Sequence, residues 1–148
     1  MNTLILLRGP SGAGKSTTAH KLLGTELSSA PNPYIFEADQ YFYHNGDYKF
    51  DATKLGQAHG DCQRRVRAAL EKGIENVVVS NTTMTRWEAN PYLVMAKELG
   101  YAVAIYRIGD PWDAKLFASR NIHGVTEEII QRQIQKYQRL ENEQEYAG

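Results

Sequence analysis

A single cysteine, Cys62, stands in 148 residues. No disulfide can form within the chain, and a reducing, cytoplasmic setting is expected. Long apolar runs are missing too. A membrane-spanning helix needs about 20 consecutive apolar residues. The first apolar run covers only positions 4 to 7, too short for a span or a signal peptide, so it reads as a first β-strand and no membrane contact is expected. Net charge is absent: 17 Lys plus Arg balance 17 Asp plus Glu. That balance argues against a protein that coats long nucleic acid, because such binding is driven by phosphate neutralisation. It leaves room for a local basic cleft holding one strand end or one small ligand. Repeats, linkers and low-complexity stretches are also lacking, no obligate protein partner is evident, and the length suits one domain over residues 1–148.

What is present is an alternation of strand-like and helix-like segments. Leu4 to Arg8 predicts a strand and Lys15 to Leu23 a helix. Residues 34–38, Tyr-Ile-Phe-Glu-Ala, predict a second strand entered through the Ala-Pro-Asn-Pro turn at 30–33. Asp51 to Lys72 predicts a long helix with Leu55, His59, Cys62, Val66, Ala69 and Leu70 on one stripe and Gly73 as its C-cap. Asn76 to Ser80 reads as a buried strand, Arg86 to Leu99 as a helix, and Tyr101 to Ile108 as a fourth strand. From Pro111 to about Tyr146 the pattern is helical, broken at 121–125, restarting at Thr126 ahead of Glu127 and Glu128 and fraying over the last eight residues. This order implies an α/β fold. Its parallel four- to five-stranded sheet is sandwiched between helices in three layers and carries a helical lid at about 118–125. Ligands of such sheets bind at the C-terminal strand ends.

Gly9-Pro10-Ser11-Gly12-Ala13-Gly14-Lys15-Ser16 follows a predicted strand and opens a predicted helix, the context of a phosphate-binding loop. Glycines let successive backbone N–H groups turn inward around phosphate oxygens. The helix N-terminus favours anions, Lys15 reaches the β- and γ-phosphates, and the Ser16 hydroxyl suits Mg²⁺. Gly9, Ser11, Gly12, Ala13, Gly14, Lys15, Ser16 and Thr17 are therefore the expected ATP-binding residues.

Several uses of such a loop are disfavoured. No Asn-Lys-x-Asp run is present to read guanine, and the strand ending Ser80-Asn81-Thr82-Thr83 carries no carboxylate of the kind a motor ATPase places there. A small kinase needs less: an acceptor carboxylate beside the loop and a basic lid over ATP. Asp39 follows the second strand, with Glu37 expected on the same pleat face; the same position also suits a turn cap. Arg120 and His123 flank the polar break of the lid, with Gly124 as its hinge. Arg120 there either neutralises charge on the transferred phosphoryl group or is a solvated helix-end arginine. Arg64, Arg65 and Arg67 line an acceptor path or a solvated face. His59 and Cys62 lack further ligands at metal spacing and read as core.

Taken together, Ala38-Asp39-Gln40-Tyr41-Phe42, Gly46-Asp47-Tyr48-Lys49-Phe50-Asp51, Ala58-His59-Gly60-Asp61-Cys62, Asn81-Thr82, Trp87-Glu88, Asp110-Pro111-Trp112 and Arg120-Asn121-Ile122-His123-Gly124 resemble the phage-type polynucleotide 5′-hydroxyl kinases and related small P-loop kinase-like proteins. The resemblance covers nearly the whole chain, in order. It implies that Lys15 and Ser16 bind ATP and Mg²⁺ and that Asp39 is the base for the acceptor hydroxyl. Asn81, Thr82 and Thr83 would face the acceptor nucleotide, and Arg120 would close on ATP. Three positions depart from the family: Phe42 replaces an arginine that holds the acceptor phosphate, Asn81 replaces an aspartate, and His123 aligns with a second lid arginine. Phe42, with Tyr41 and Tyr43, is then either a base-stacking surface or ordinary core and rim.

The implied activity is ATP-dependent phosphoryl transfer to a hydroxyl on nucleic acid, foremost the 5′-OH of a DNA or RNA end, with Lys15, Asp39 and Arg120 catalytic. A hydroxymethyl base in DNA is a variant of that acceptor. The alternatives are a small-molecule hydroxyl (nucleoside, sugar or antibiotic) and a nucleotide-binding module without transfer activity.

Overall fold

The computed structural model describes residues 2–24, 34–121 and 124–146. The Ala-Pro-Asn-Pro turn and His123 lie outside the described residues.

Five parallel strands, β1 (Thr3–Arg8), β2 (Ile35–Phe36), β5 (Asn76–Ser80), β6 (Ala102–Arg107) and β7 (Glu143–Glu145), pair in the order β2-β5-β1-β6-β7. Alternation along the strands sorts their side chains to two faces. Leu4, Leu6, Val77, Val79 and Ile105 pack with Ala58, Cys62, Val66, Ala69 and Leu70 of α2 (Leu55–Glu71) and with Ala89, Tyr92, Met95 and Ala96 of α3 (Arg86–Glu98). Ile5, Leu7, Ile35 and Val78 pack on the opposite face with Ala19, Leu22 and Leu23 of α1 (Lys15–Leu23). A third cluster, Ala13, Phe117 and Ile130, seats α4 (Ala114–Arg120) and α5 (Glu127–Gln135) on the loop after β1. The α/β sandwich and parallel sheet expected from the sequence are therefore present. The connection from β1 runs to β2 on one side and the connection from β5 crosses to β6 on the other, so the winding reverses at β1 and opens a crevice at its C-terminal end.

Four expectations need correction. The second strand stops at Phe36, and residues 38–42 coil into a 3₁₀ helix. Gln40 side-chain bonds to the Glu37 amide (3.1 Å) and the Ile35 carbonyl (2.9 Å) tighten that turn. Glu37 and Asp39 therefore do not share a pleat face. Next comes an unpredicted hairpin, β3 (Tyr43–His44) with β4 (Asp47–Tyr48). Its signal was legible in Asn45-Gly46, both at positive φ (52° and 85°), the pairing that a two-residue hairpin turn demands. The long helix starts with a 3₁₀ turn and then α2, which leaves Leu55 exposed and places Ala58 on the buried stripe. The C-terminal stretch does not fray over residues 143–146: Glu143–Glu145 form the fifth strand. The helical pattern expected there to about Tyr146 ends with α5 at Gln135. Lys15–Leu23, Asn76–Ser80 and the Thr126 cap stand as expected, the Thr126 side chain accepting from the Ile129 amide.

Candidate functional site

The phosphate loop joins β1 to α1 through Gly14, at φ 99°. The amides of Lys15, Ser16 and Thr17 open the helix without intrahelical acceptors. Lys15 extends its ammonium back along the loop and donates to the carbonyls of Gly9 (2.8 Å) and Pro10 (3.0 Å). Desolvation lowers its pKa to about 8, opposed by the negative charges of Glu37 and then Asp39. Those two carboxylates therefore act on the same ammonium. Ser16 Oγ donates to Glu37 Oε1 at 3.4 Å, and burial followed by the Asp39 charge raises the Glu37 pKa. Asp39 accepts from the Tyr48 hydroxyl at 3.4 Å. The Tyr48 phenol is itself held neutral, its pKa pushed up to about 12 by desolvation and the Asp39 charge.

Not every loop residue turns towards that cradle. The Ser11 amide donates to Gln133 Oε1 (2.9 Å), and Gln133 Nε2 donates to Ser11 Oγ (3.1 Å). Ser11, expected to bind ATP, is thus committed to α5 here, and Gln133 is a docking residue that the sequence pattern did not reveal. Gly9 is buried, and its amide bonds the Thr82 carbonyl (3.1 Å). Gly12 is required for a different reason: at φ 85° a Cβ would lie 2.6 Å from the Phe117 carbonyl oxygen, so only glycine lets α4 approach. Arg120, at the end of α4, donates to the Gly12 carbonyl at 2.7 Å and lies over the Phe117 ring. It borders a cleft of about 380 Å³ with Ala13, Gly14, Thr17, Lys21, Gly109 and Tyr146. Tyr146 reaches it because β7 pairs with β6; nothing local in the sequence announces that.

On the acceptor side, Asn81 uses both ends of its amide. Oδ1 accepts from the Ala38 amide at 2.8 Å and Nδ2 donates to Cys62 Sγ at 3.7 Å. An aspartate there could only accept, so the departure from the phage-type pattern has a structural counterpart. Thr82 is half-buried. Thr83 is buried at φ 48°, a left-handed conformation that is strained for a β-branched residue, and its side chain is not exposed at the crevice.

Arg8 holds that turn. Fully buried, it donates from Nε to the Thr83 carbonyl (2.7 Å) and from Nη2 to the carbonyls of Met84 (3.0 Å) and Gln138 (2.7 Å), and it pairs through Nη1 with Glu143. The signal was a cation ending a buried strand, which needs a buried partner; which carboxylate would serve was not legible.

Phe42 requires another correction. At 2% exposure it is a core residue, packed edge-on against Tyr41 and Phe50, so it has no face for an acceptor base. Of the three arginines on α2, Arg65 grips Asp61 (2.8 Å), Gln40 (2.5 Å) and the Glu37 carbonyl (3.0 Å), which holds the Asp39 turn. Arg67 pairs with Glu98 and Glu71, and Arg64 is largely exposed near Asp61. Cys62 is core, as expected, and burial raises its thiol pKa.

Residues 4–140 match the AAA_33 family, described as an AAA domain. The chain belongs to that family. It is 41% identical over 140 residues to the human NEDD4-binding protein 2, covering 93% of this chain but only 8% of the relative's length. An uncharacterized protein of Pasteurella multocida (strain Pm70) is 27% identical over 138 residues, covering 88% of this chain and 73% of its own. Among solved structures, a chain of the Pnkp1/Rnl/Hen1 RNA repair complex superposes with a TM-score of 0.66 at 19% identity, covering 91% of this chain and 43% of that one. A gluconokinase from Sinorhizobium meliloti 1021 gives 0.59 at 15% identity (99% and 83% covered). The fold of this AAA_33 chain is that of the P-loop kinases. No described helix is long and apolar enough to cross a membrane.

Proposed function

We propose that this chain is an ATP- and Mg²⁺-dependent kinase acting on a nucleic-acid hydroxyl, foremost the 5′-OH of a DNA or RNA end. The observation that carries the reading is that Glu37 meets Ser16 of the phosphate loop at 3.4 Å and Asp39 opens the next turn, so an acceptor carboxylate adjoins the donor loop. The resemblance of the Asp39 and Arg120 motifs to the polynucleotide kinases supports the nucleic-acid acceptor. The Ser16 hydroxyl and Glu37 carboxylate, 3.4 Å apart, are hard oxygen donors of the kind Mg²⁺ takes; the ion would neutralise phosphate charge there. Gly12 to Gly14 and the first amides of α1 hold the donor phosphates, and Lys15 neutralises them. Arg120 sits over the nucleotide cleft and stabilises charge on the transferred group. Asp39 orients the acceptor hydroxyl and takes its proton, while Asn81 and Thr82 border the acceptor.

Incubation with γ-labelled ATP, Mg²⁺ and a 5′-hydroxyl oligonucleotide, beside nucleosides and sugars, tests this. Label on the oligonucleotide supports the reading. Label confined to a nucleoside or sugar replaces it with the small-molecule kinase, which the absence of an arginine at Phe42 favours. ATP binding without transfer to any acceptor marks a non-catalytic module.

The pH dependence is set by Lys15. Its cation is complete below its pKa of about 8 and lost above it, so kcat/KM for ATP should fall about tenfold per pH unit on the alkaline side. Lys15→Arg keeps its charge throughout and should remove that limb. A flat profile in the parent enzyme up to about pH 10, near the unshifted lysine value, would refute the assignment.

A further inference from the structure

The hairpin after Asp39 carries an aromatic ladder that the transfer chemistry does not use. Tyr43 and Tyr48 face each other across β3 and β4 with ring centroids 5.1 Å apart. Tyr48 stacks on Phe50 at 6.4 Å and 18°, and Phe50 closes on the buried Phe42 at 5.2 Å. Cross-strand aromatic pairs stabilise a short hairpin, yet that role alone would favour covering the rings. Instead Tyr43 is 46% and Phe50 53% exposed. The ladder is also tied to the acceptor site, since its central hydroxyl, Tyr48 Oη, donates to Asp39. Lys49 and Lys54 are exposed on the same segment and are balanced there by Asp47 and Asp51, so the rings rather than net charge mark the surface.

We propose that Tyr43, Tyr48 and Phe50 form a stacking platform for the base of the 5′-terminal nucleotide of a single-stranded end. The inference rests on the nucleic-acid kinase reading above and names the form of its acceptor. A terminal base and its 5′-hydroxyl hang from one sugar, so a base seated on the ladder carries its hydroxyl towards Asp39. Every base has a π-face, which makes such a platform tolerant of sequence. Seating the base face requires it to be unstacked from its neighbours, which single-stranded ends permit.

The test is equilibrium binding, measured without ATP by fluorescence anisotropy of a 3′-fluorescein 5′-hydroxyl oligonucleotide. A second oligonucleotide carries an abasic sugar at its 5′-terminal nucleotide. Tyr43→Ala and Phe50→Ala change exposed side chains, and Tyr43→Phe and Phe50→Tyr keep the rings. The alanine variants should weaken binding of the base-bearing end by about 5- to 150-fold. The ring-keeping variants should bind as the parent does, and the abasic end should not distinguish any of them. Parent-like affinity in the alanine variants, or equal losses on both oligonucleotides, overturns the platform. Base-dependent binding with no transfer of label in the kinase assay overturns the proposed activity and leaves the platform standing.

Discussion

Asp39→Asn is expected to lower kcat for transfer to a 5′-hydroxyl oligonucleotide by about 10²- to 10⁴-fold, the range of a lost general base. The substitution is isosteric, and an amide oxygen can still accept from the Tyr48 hydroxyl, so the thermal midpoint and the affinity for ATP should be nearly unchanged. A second readout follows from electrostatics. The Asp39 charge helps to keep the Lys15 pKa as high as about 8; without it the ammonium deprotonates sooner, and the alkaline limb of kcat/KM for ATP moves to lower pH. Paired measurement of kcat and of that limb separates base from turn. If kcat stays at the parent value, Asp39 only shapes the 3₁₀ helix that contains it.

Arg8→Met is expected to lower unfolding stability by about 3–5 kcal/mol, because Glu143 loses one of its two arginines and the carbonyls of Thr83, Met84 and Gln138 lose a buried donor. For a chain of this size that is roughly a 6–20 °C fall in thermal midpoint. Both side chains of the pair are fully buried. Glu143 also accepts from Tyr137, from the Leu140 amide at 3.0 Å and from Arg107 at 3.0 Å. Burial alone would raise its pKa; the Tyr137 and Leu140 hydrogen bonds and the Arg8 charge outweigh burial and hold it below the ordinary carboxylate value of 4.5. Stability from a depressed carboxylate is complete above its unfolded pKa and lost as pH falls through the folded one. The parent should therefore lose stability on acidification below about pH 4.5, and Glu143→Gln should lose less over that interval. Adding Glu143→Leu to Arg8→Met removes a buried carboxylate that has lost one of its two arginines and should recover part of the midpoint. Even then the strained Thr83 turn lacks its clamp, so KM for the acceptor should stay raised. A double variant with the same midpoint as Arg8→Met would show that the pair does not govern stability.

The parts of the molecule written in local chemistry were legible in the sequence. A glycine-rich loop between an apolar strand and a helix is a phosphate-loop context, so α1 could be placed to the residue and β1 to within one residue. The uninterrupted valines of β5, the Thr126 cap and the strand–helix alternation gave the parallel sheet for the same reason: each depends on neighbours along the chain. Asp39 was nominated from its place after the second strand, Lys15 from the loop motif and Arg120 from the polar break of the lid.

Tertiary structure decided what depends on distant partners. Gln40 and Arg65 curl the segment after β2, turning an expected strand into the 3₁₀ helix that bears Asp39. Phe42 is aromatic in either setting; only the packing of α2 and the hairpin around it made it core and left Tyr43 and Phe50 exposed. The polar C-terminal stretch carries no strand signal of its own, yet Glu143 is drawn into the sheet by two arginines that end β1 and β6. A buried charge is stable only with a counter-charge, and no local pattern says which one, 135 residues away, the fold will bring.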